Sequence, residues 1–228
     1  MHTFTHNYVS HLYCIIVFIL IVAIFGRADE VNNVSATYAI FYAVLAGSPA
    51  ILFLVKNLSE KLVIDKNRIV RTDLFSKDGV LINKYSLIYT KRNFQSFNVI
   101  IRRYDYQIKI INGNEVVKIN ANMNNADALF ELVRDMESEY ILPYWIESFN
   151  RMQMLKFDEK LMLEKNGIRY NNKLYNYSSL SSITIQNGSV YLKKEGALWQ
   201  SAVLTIPCAN IPNLQTFLTI VHQTSGLL

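Results

Sequence analysis

Two charge-free apolar stretches lie close together near the N-terminus, and a long polar remainder patterned in short alternations follows them. The first runs from Leu12 to Phe25 and extends upstream through Tyr8 and Val9; the second runs from Val34 to Val55. At about 1.5 Å of rise per residue, the second is long enough as a helix to cross a hydrocarbon core roughly 30 Å thick. Only residues 27–33 separate the two, so the pattern predicts an N-terminal transmembrane helical hairpin within residues 1–56, with spans at about 9–26 and 34–55. The shorter first stretch competes with a signal-peptide reading. Against cleavage stand a leader, Met1 to His11, without Lys or Arg, and Ile24-Phe25-Gly26 where a pair of small residues would be needed. The connecting loop carries Arg27 against Asp29 and Glu30, whereas Lys56, Lys61, Lys66, Arg68 and Arg71 follow the second span. That asymmetry predicts a multi-pass inner-membrane protein with its N-terminus and its C-terminal part in the cytoplasm.

Beyond Lys61 the pattern is that of short strands closed by a helix, and it occurs twice. Strands are predicted at Leu62–Asp65, Arg68–Leu74, Tyr85–Thr90, Asn98–Arg103, Tyr106–Ile111 and Glu115–Asn120, where β-branched and aromatic residues dominate. Asp65-Lys66-Asn67, Lys77-Asp78-Gly79 and Asn112-Gly113-Asn114 read as turns. A helix over about Asn125–Tyr140 follows, with Leu129, Leu132, Val133, Met136 and Tyr140 on one face and Asn124 or Asn125 as its cap. The second set has strands at Lys160–Glu164, Gly167–Tyr170, Lys173–Tyr175, Ser181–Gln186, Ser189–Lys194 and Gln200–Ile206. Its closing helix starts at Asn210 with Pro212 in the first turn, carries Leu214, Phe217, Leu218 and Val221 as an apolar stripe, and stops before Gly226. The repetition divides the remainder into units at 57–148 and 149–228, with the boundary within Pro143–Lys156 and a second unit expected to fold alone from Lys156 onward.

Charge sharpens this picture. The chain of 228 residues has a formal net charge of +5. Between Lys61 and Lys118, twelve Lys and Arg face five acids, whereas Asn124–Glu147 holds Arg134 against six acids. The first unit is therefore polarised into a basic sheet and an acidic helix. Lys91, Arg92, Arg102 and Arg103 are candidates for contact with anionic headgroups, at about 1 kcal/mol each. Arg102 and Arg103 are strand neighbours, so a flat surface can take at most one of them. The bias is too slight for a nucleic-acid arm.

Candidate chemistry is sparse. His2 and His6 could pair at i, i+4 with His11 beyond, but a frayed terminus explains them better than a metal site. Glu131, Asp135 and Glu139 at i, i+4, i+8 read as a solvated stripe rather than as paired catalytic carboxylates. Cys14 and Cys208 are too far apart in context to suggest a disulfide. Gly47-Ser48-Pro49 reads as a kink within the second span. No HExxH, CxxC, GxSxG or GxxxxGK[ST] occurs. Catalysis, metals and cofactors are not expected.

Several motifs of the second unit resemble the bacterial membrane-anchored pleckstrin-homology-like (PH-like) domain proteins. They are Gly167-Ile168-Arg169-Tyr170, Tyr175-Asn176-Tyr177-Ser178-Ser179-Leu180 leading into Ile183, Asn187-Gly188-Ser189-Val190-Tyr191-Leu192, Trp199, and Ile211-Pro212-Asn213 with Phe217. The resemblance covers about residues 58–224, with Tyr177 where that family more often has Trp. It implies an α+β membrane protein: the hairpin, then two PH-like units, each a curled antiparallel sheet closed by a C-terminal helix. The basic pocket that some eukaryotic PH domains build between their first two strands has no counterpart, since Asp65-Lys66-Asn67 is too short. The expected role is non-enzymatic binding or scaffolding at the membrane surface, with the bilayer, a protein partner and weak anionic-lipid contact as partners. The competing class is a regulatory or accessory subunit of a membrane enzyme or transporter.

Overall fold

The computed structural model describes residues 1–5, 59–97, 101–120, 125–194 and 202–227. Alternating apolar and polar residues there build four antiparallel sheets. Strands β1 (His2–Thr5), β2 (Lys61–Asp65), β3 (Arg68–Thr72) and β4 (Lys77–Leu81) form the first, in that order. The second is β5 (Leu87–Phe97), β6 (Ile101–Asn112) and β7 (Glu115–Asn120). Helices α1 (Ala126–Tyr140) and α2 (Leu142–Met152) follow. The third sheet is β8 (Met154–Lys156), β9 (Leu161–Glu164), β10 (Gly167–Tyr170) and β11 (Lys173–Asn176). The fourth is β12 (Leu180–Gln186), β13 (Ser189–Lys194) and β14 (Ala202–Pro207), and α3 (Leu214–Ser225) ends the chain. Each half thus runs through a four-stranded sheet, a three-stranded sheet and a helix.

Turn chemistry sets the registers. Asn171-Asn172 and Asn187-Gly188 all take positive φ, and each pair forms the two-residue loop that opposes Tyr170 to Lys173 and Gln186 to Ser189. Gly167 lies so close to the backbone of Tyr175 and Asn176 that a Cβ would collide with the Tyr175 carbonyl. In the first half, Arg71 Nη1 donates to the Lys118 carbonyl (3.1 Å) and Asn112 Nδ2 to the Leu81 carbonyl (2.9 Å), which fastens the two sheets together.

The expected α+β membrane architecture is corrected. The described chain is mostly sheet, and no helix among the described residues is long and apolar enough to cross a membrane. The predicted spans at 9–26 and 34–55 lie outside the described residues. His2–Thr5, expected as a tail before the first span, is instead a strand paired along β2, with Thr5 opposite Lys61 and Phe4 buried in the core. With the hairpin unsupported, the transmembrane assignment and the multi-pass inner-membrane placement with cytoplasmic termini lose their basis.

Smaller differences have local causes. Lys77-Asp78-Gly79 is the start of β4 rather than a turn, because Asp73 makes the turn: its Oδ1 accepts the Phe75 and Ser76 N–H groups at 2.8 Å each. The alternation split at Tyr104-Asp105 runs on as one twelve-residue strand. Leu142–Met152, which no strand or helix was expected to occupy, is a helix with Pro143 in its first turn and Trp145, Ser148 and Phe149 buried. Cys208–Asn210 is a 3-10 turn, so the residue before α3 is Asn213 and not Asn210.

One cluster of buried residues runs through both halves, from Phe4 to Val221. Two polar side chains fix how the halves meet. Asn213, fully buried at φ 52, donates its N–H to the Ile88 carbonyl (2.8 Å), accepts the Ile88 N–H on Oδ1 (2.8 Å) and donates Nδ2 to the Ser86 carbonyl (3.0 Å). It pairs with the start of β5 as another strand would. Glu137 of α1, also buried, accepts the Thr216 N–H on Oε1 at 2.7 Å and so satisfies the first turn of α3. Phe217 of α3 meets Phe157 edge-on at 5.5 Å, and Phe157 packs on Trp145 at 4.7 Å.

Asn213→Ala leaves the Ile88 N–H and the Ser86 carbonyl buried without partners, at about 1–3 kcal/mol for each group. Asn213→Gly relieves the left-handed backbone yet loses the same bonds, so urea denaturation should show both variants strongly destabilised. Burial pushes the Glu137 carboxyl up from 4.5 to about 7, against the opposing pull of its hydrogen bonds from Thr216 and Gln215. Below about pH 4.5 the group is protonated in folded and unfolded chain alike; between there and about pH 7 the folded chain holds a proton that the unfolded one has lost. This group's stabilisation is therefore complete at low pH, declines by about 3 kcal/mol as pH rises to 7, and is level above. In Glu137→Gln that component of the slope should vanish from stability measured across pH 4–8.

Candidate functional site

A tight turn before β5 begins the site. Asn83 Oδ1 accepts the Tyr85 N–H (2.9 Å), the Asn83 N–H donates to Ser86 Oγ (3.0 Å), and Ser86 Oγ donates to the Leu81 carbonyl (3.3 Å). Asn67 Nδ2 holds the Ile82 carbonyl from the neighbouring hairpin at 3.0 Å. So braced, the turn presents Lys84 and Tyr85 outward. Helix α2 supplies the facing wall, because Tyr144, Ser148 and Met152 recur at four-residue spacing on one side of it. Trp145 ties wall to turn by donating Nε1–H to the Lys84 carbonyl at 3.0 Å. Gln153, in the left-handed conformation at φ 55, ends α2 and sends the chain into β8, which brings Met154 and Leu155 beside Met152. Met162 of β9 closes the floor.

The result is an open groove of about 680 Å³. Its walls are aromatic and thioether surface: Tyr85 is 64% exposed, Met152 54% and Met154 48%. Lys84 Nζ lies 5.1 Å from the Tyr85 ring centre and 4.7 Å from that of Tyr144, and the two rings meet edge-on at 5.9 Å. This arrangement holds a cation among π faces at the groove mouth. Lys156, Asp158 and Glu159 complete a rim of mixed charge. The same rings continue inward through Trp145 and Phe157 to Phe217, so the groove is rigidly backed by the core.

Burial pushes the Cys208 thiol up, away from the reactive thiolate. Among the described residues no group of three or more His, Cys, Asp or Glu is placed to hold a metal ion. Glu131, Asp135 and Glu139 are exposed along α1, as a solvated stripe should be. His2 sits on β1 and His222 is exposed on α3, while His6 and His11 lie outside the described residues.

Of the sequence candidates for headgroup contact, Lys91 is exposed on β5. Arg92, Arg102 and Arg103 belong to the paired backbone of β5 and β6, opposite Tyr106, Ser96 and Gln95; their side chains lie outside the described residues. Beside Lys91 the structure places Lys109 and Lys118, which strand alternation on β6 and β7 could have singled out. Tyr89, which separates them from Asp158, has its hydroxyl pKa raised by burial and then by that carboxylate. The groove residues themselves escaped sequence reading because they come from a turn, an unrecognised helix and two strands.

Fold and groove together define a β-rich protein of two repeated halves with an open, largely apolar groove at one side. The chain belongs to DUF6585, a family of unknown function whose model matches residues 2–226. No curated protein and no solved structure matches it.

Proposed function

We propose that this chain is a non-enzymatic binding or scaffolding protein built from two PH-like units, with a protein partner seated in the groove around Tyr85, Tyr144 and Met154. The repeated order of a four-stranded sheet, a three-stranded sheet and a closing helix supports the PH-like reading. The observation that carries the binding role is the groove's exposed aromatic and methionine lining on a braced scaffold. Tyr and Trp offer large contact areas at small entropic cost, and Met adapts to irregular apolar shapes. Lys84, held between two rings, adds one directional contact for an acidic side chain or a chain carbonyl. The partner is therefore a segment with two or three apolar anchors and an acceptor beside them.

A photo-crosslinking residue at Met154 in the full chain tests this in cells of the source organism, with Lys173 on β11 as the reference position. A discrete protein adduct is expected at 154 and not at 173. Tyr85→Ser with Tyr144→Ser should remove it while the melting temperature stays within a few degrees. Equal labelling at both positions, or an adduct that survives the double substitution, would contradict the proposal.

A further inference from the structure

A second surface lies on the open face of the β5–β6–β7 sheet, and it is basic where the groove is largely apolar. Register sets Tyr89 opposite Lys109, and Lys109 opposite Lys118, on three adjacent strands; Lys91 lies two residues along from Tyr89, opposite Gln107. Ile88, Ile108, Ile110, Val117 and Ile119 alternate with them into the core, so the polar set is left on the outer face. The face is concave, about 350 Å³, and walled on one side by Ala209 from the second half.

Two lysines directly opposite each other on paired strands repel, and such a pair weakens a sheet. Arg71 pairs with Glu60 and Asp73, Arg134 with Glu131, and Arg169 with Glu164; Lys91, Lys109 and Lys118 take no part in these pairs. Lys109 has the Tyr89 ring at 5.7 Å. Across Tyr89, Asp158 and Glu159 line a separate hollow with Lys160 and bound the basic face on that side. Three ammonium groups around one hollow, with an amide between, match a ligand that carries two or more negative charges on adjacent oxygens. A single carboxylate neutralises one lysine and leaves the others in repulsion.

We infer that this face binds a multivalent oxyanion of the phosphate class through Lys91, Lys109 and Lys118, with Gln107 as a neutral donor. The site stands apart from the groove and does not depend on the protein-binding role proposed for it. The same chemistry is offered by a phosphorylated lipid headgroup and by a free polyphosphorylated molecule.

Inorganic pyrophosphate is the probe, titrated into the full chain with calorimetry and thermal melting as readouts. Pyrophosphate should bind, raise the melting temperature and lose affinity steeply as salt rises. Lys109→Gln with Lys118→Gln should weaken binding about tenfold or more, two charge-assisted contacts being lost. Its melting temperature without ligand should equal or exceed that of the parent, since the repulsion is gone. Lys109→Arg with Lys118→Arg should retain binding. Sedimentation with vesicles containing a phosphorylated inositol lipid, against phosphatidylcholine alone, separates the sources: capture that pyrophosphate displaces assigns a headgroup, and pyrophosphate binding without capture assigns a free molecule. No heat and no thermal shift with pyrophosphate, or equal binding by the glutamine variant, would overturn the site.

Discussion

Asn213 is the residue through which one half of this protein completes the other. The first strand of a three-stranded sheet leaves its outer N–H and C=O groups without a ladder partner, and burying them unpaired would be costly. Asn213 supplies both an acceptor and donors to that edge, at Ile88 and Ser86, from a left-handed position that Asn tolerates better than most residues. The same bend starts α3, so the edge of one half and the helix of the other are fixed by one side chain. Glu137 locks the second coordinate of the joint by accepting Thr216 in the first turn. Its elevated pKa expresses what that costs: a carboxylate desolvated between two helices, compensated only in part by backbone donors.

The groove is a consequence of that joint. The turn at 83–86 leads directly into the strand that Asn213 pairs with, and α2 packs beside α3 through the chain of Trp145, Phe157 and Phe217. Tyr85 and Tyr144 therefore face each other because the elements beneath them are already committed. Lys84 stays between their rings although its ammonium is free to seek water, since cation and π faces are brought together at no further ordering cost. A rigid backing with an adaptable methionine lip is the combination that suits recognition of an apolar segment.

Much of the sheet framework was legible in the sequence, because period-two alternation and Asn-Gly turns act locally. Asn112-Gly113-Asn114 marks a real hairpin, and the apolar stripe of Ala126–Tyr140 marks a real helix. What was not legible is long-range. Asp73 displaced a turn by four residues, Pro143 opened a helix that strand alternation did not announce, and Phe4 turned an apparent tail into a strand. Glu137 was passed over because its neighbours Glu131, Asp135 and Glu139 form a convincing exposed stripe, and only the approach of α3 from nearly 80 residues away buries it.

The central claim is that the two halves form one cooperative structure held at the Asn213 joint. Native-state amide hydrogen exchange measures this most directly, by comparing the slowest amides of the first half, such as Ile110, with those of the second, such as Ile168. The account predicts one common opening free energy for both sets, and an equal drop in both on Asn213→Ala. Two separate opening energies, with only one half responding to that substitution, would contradict it.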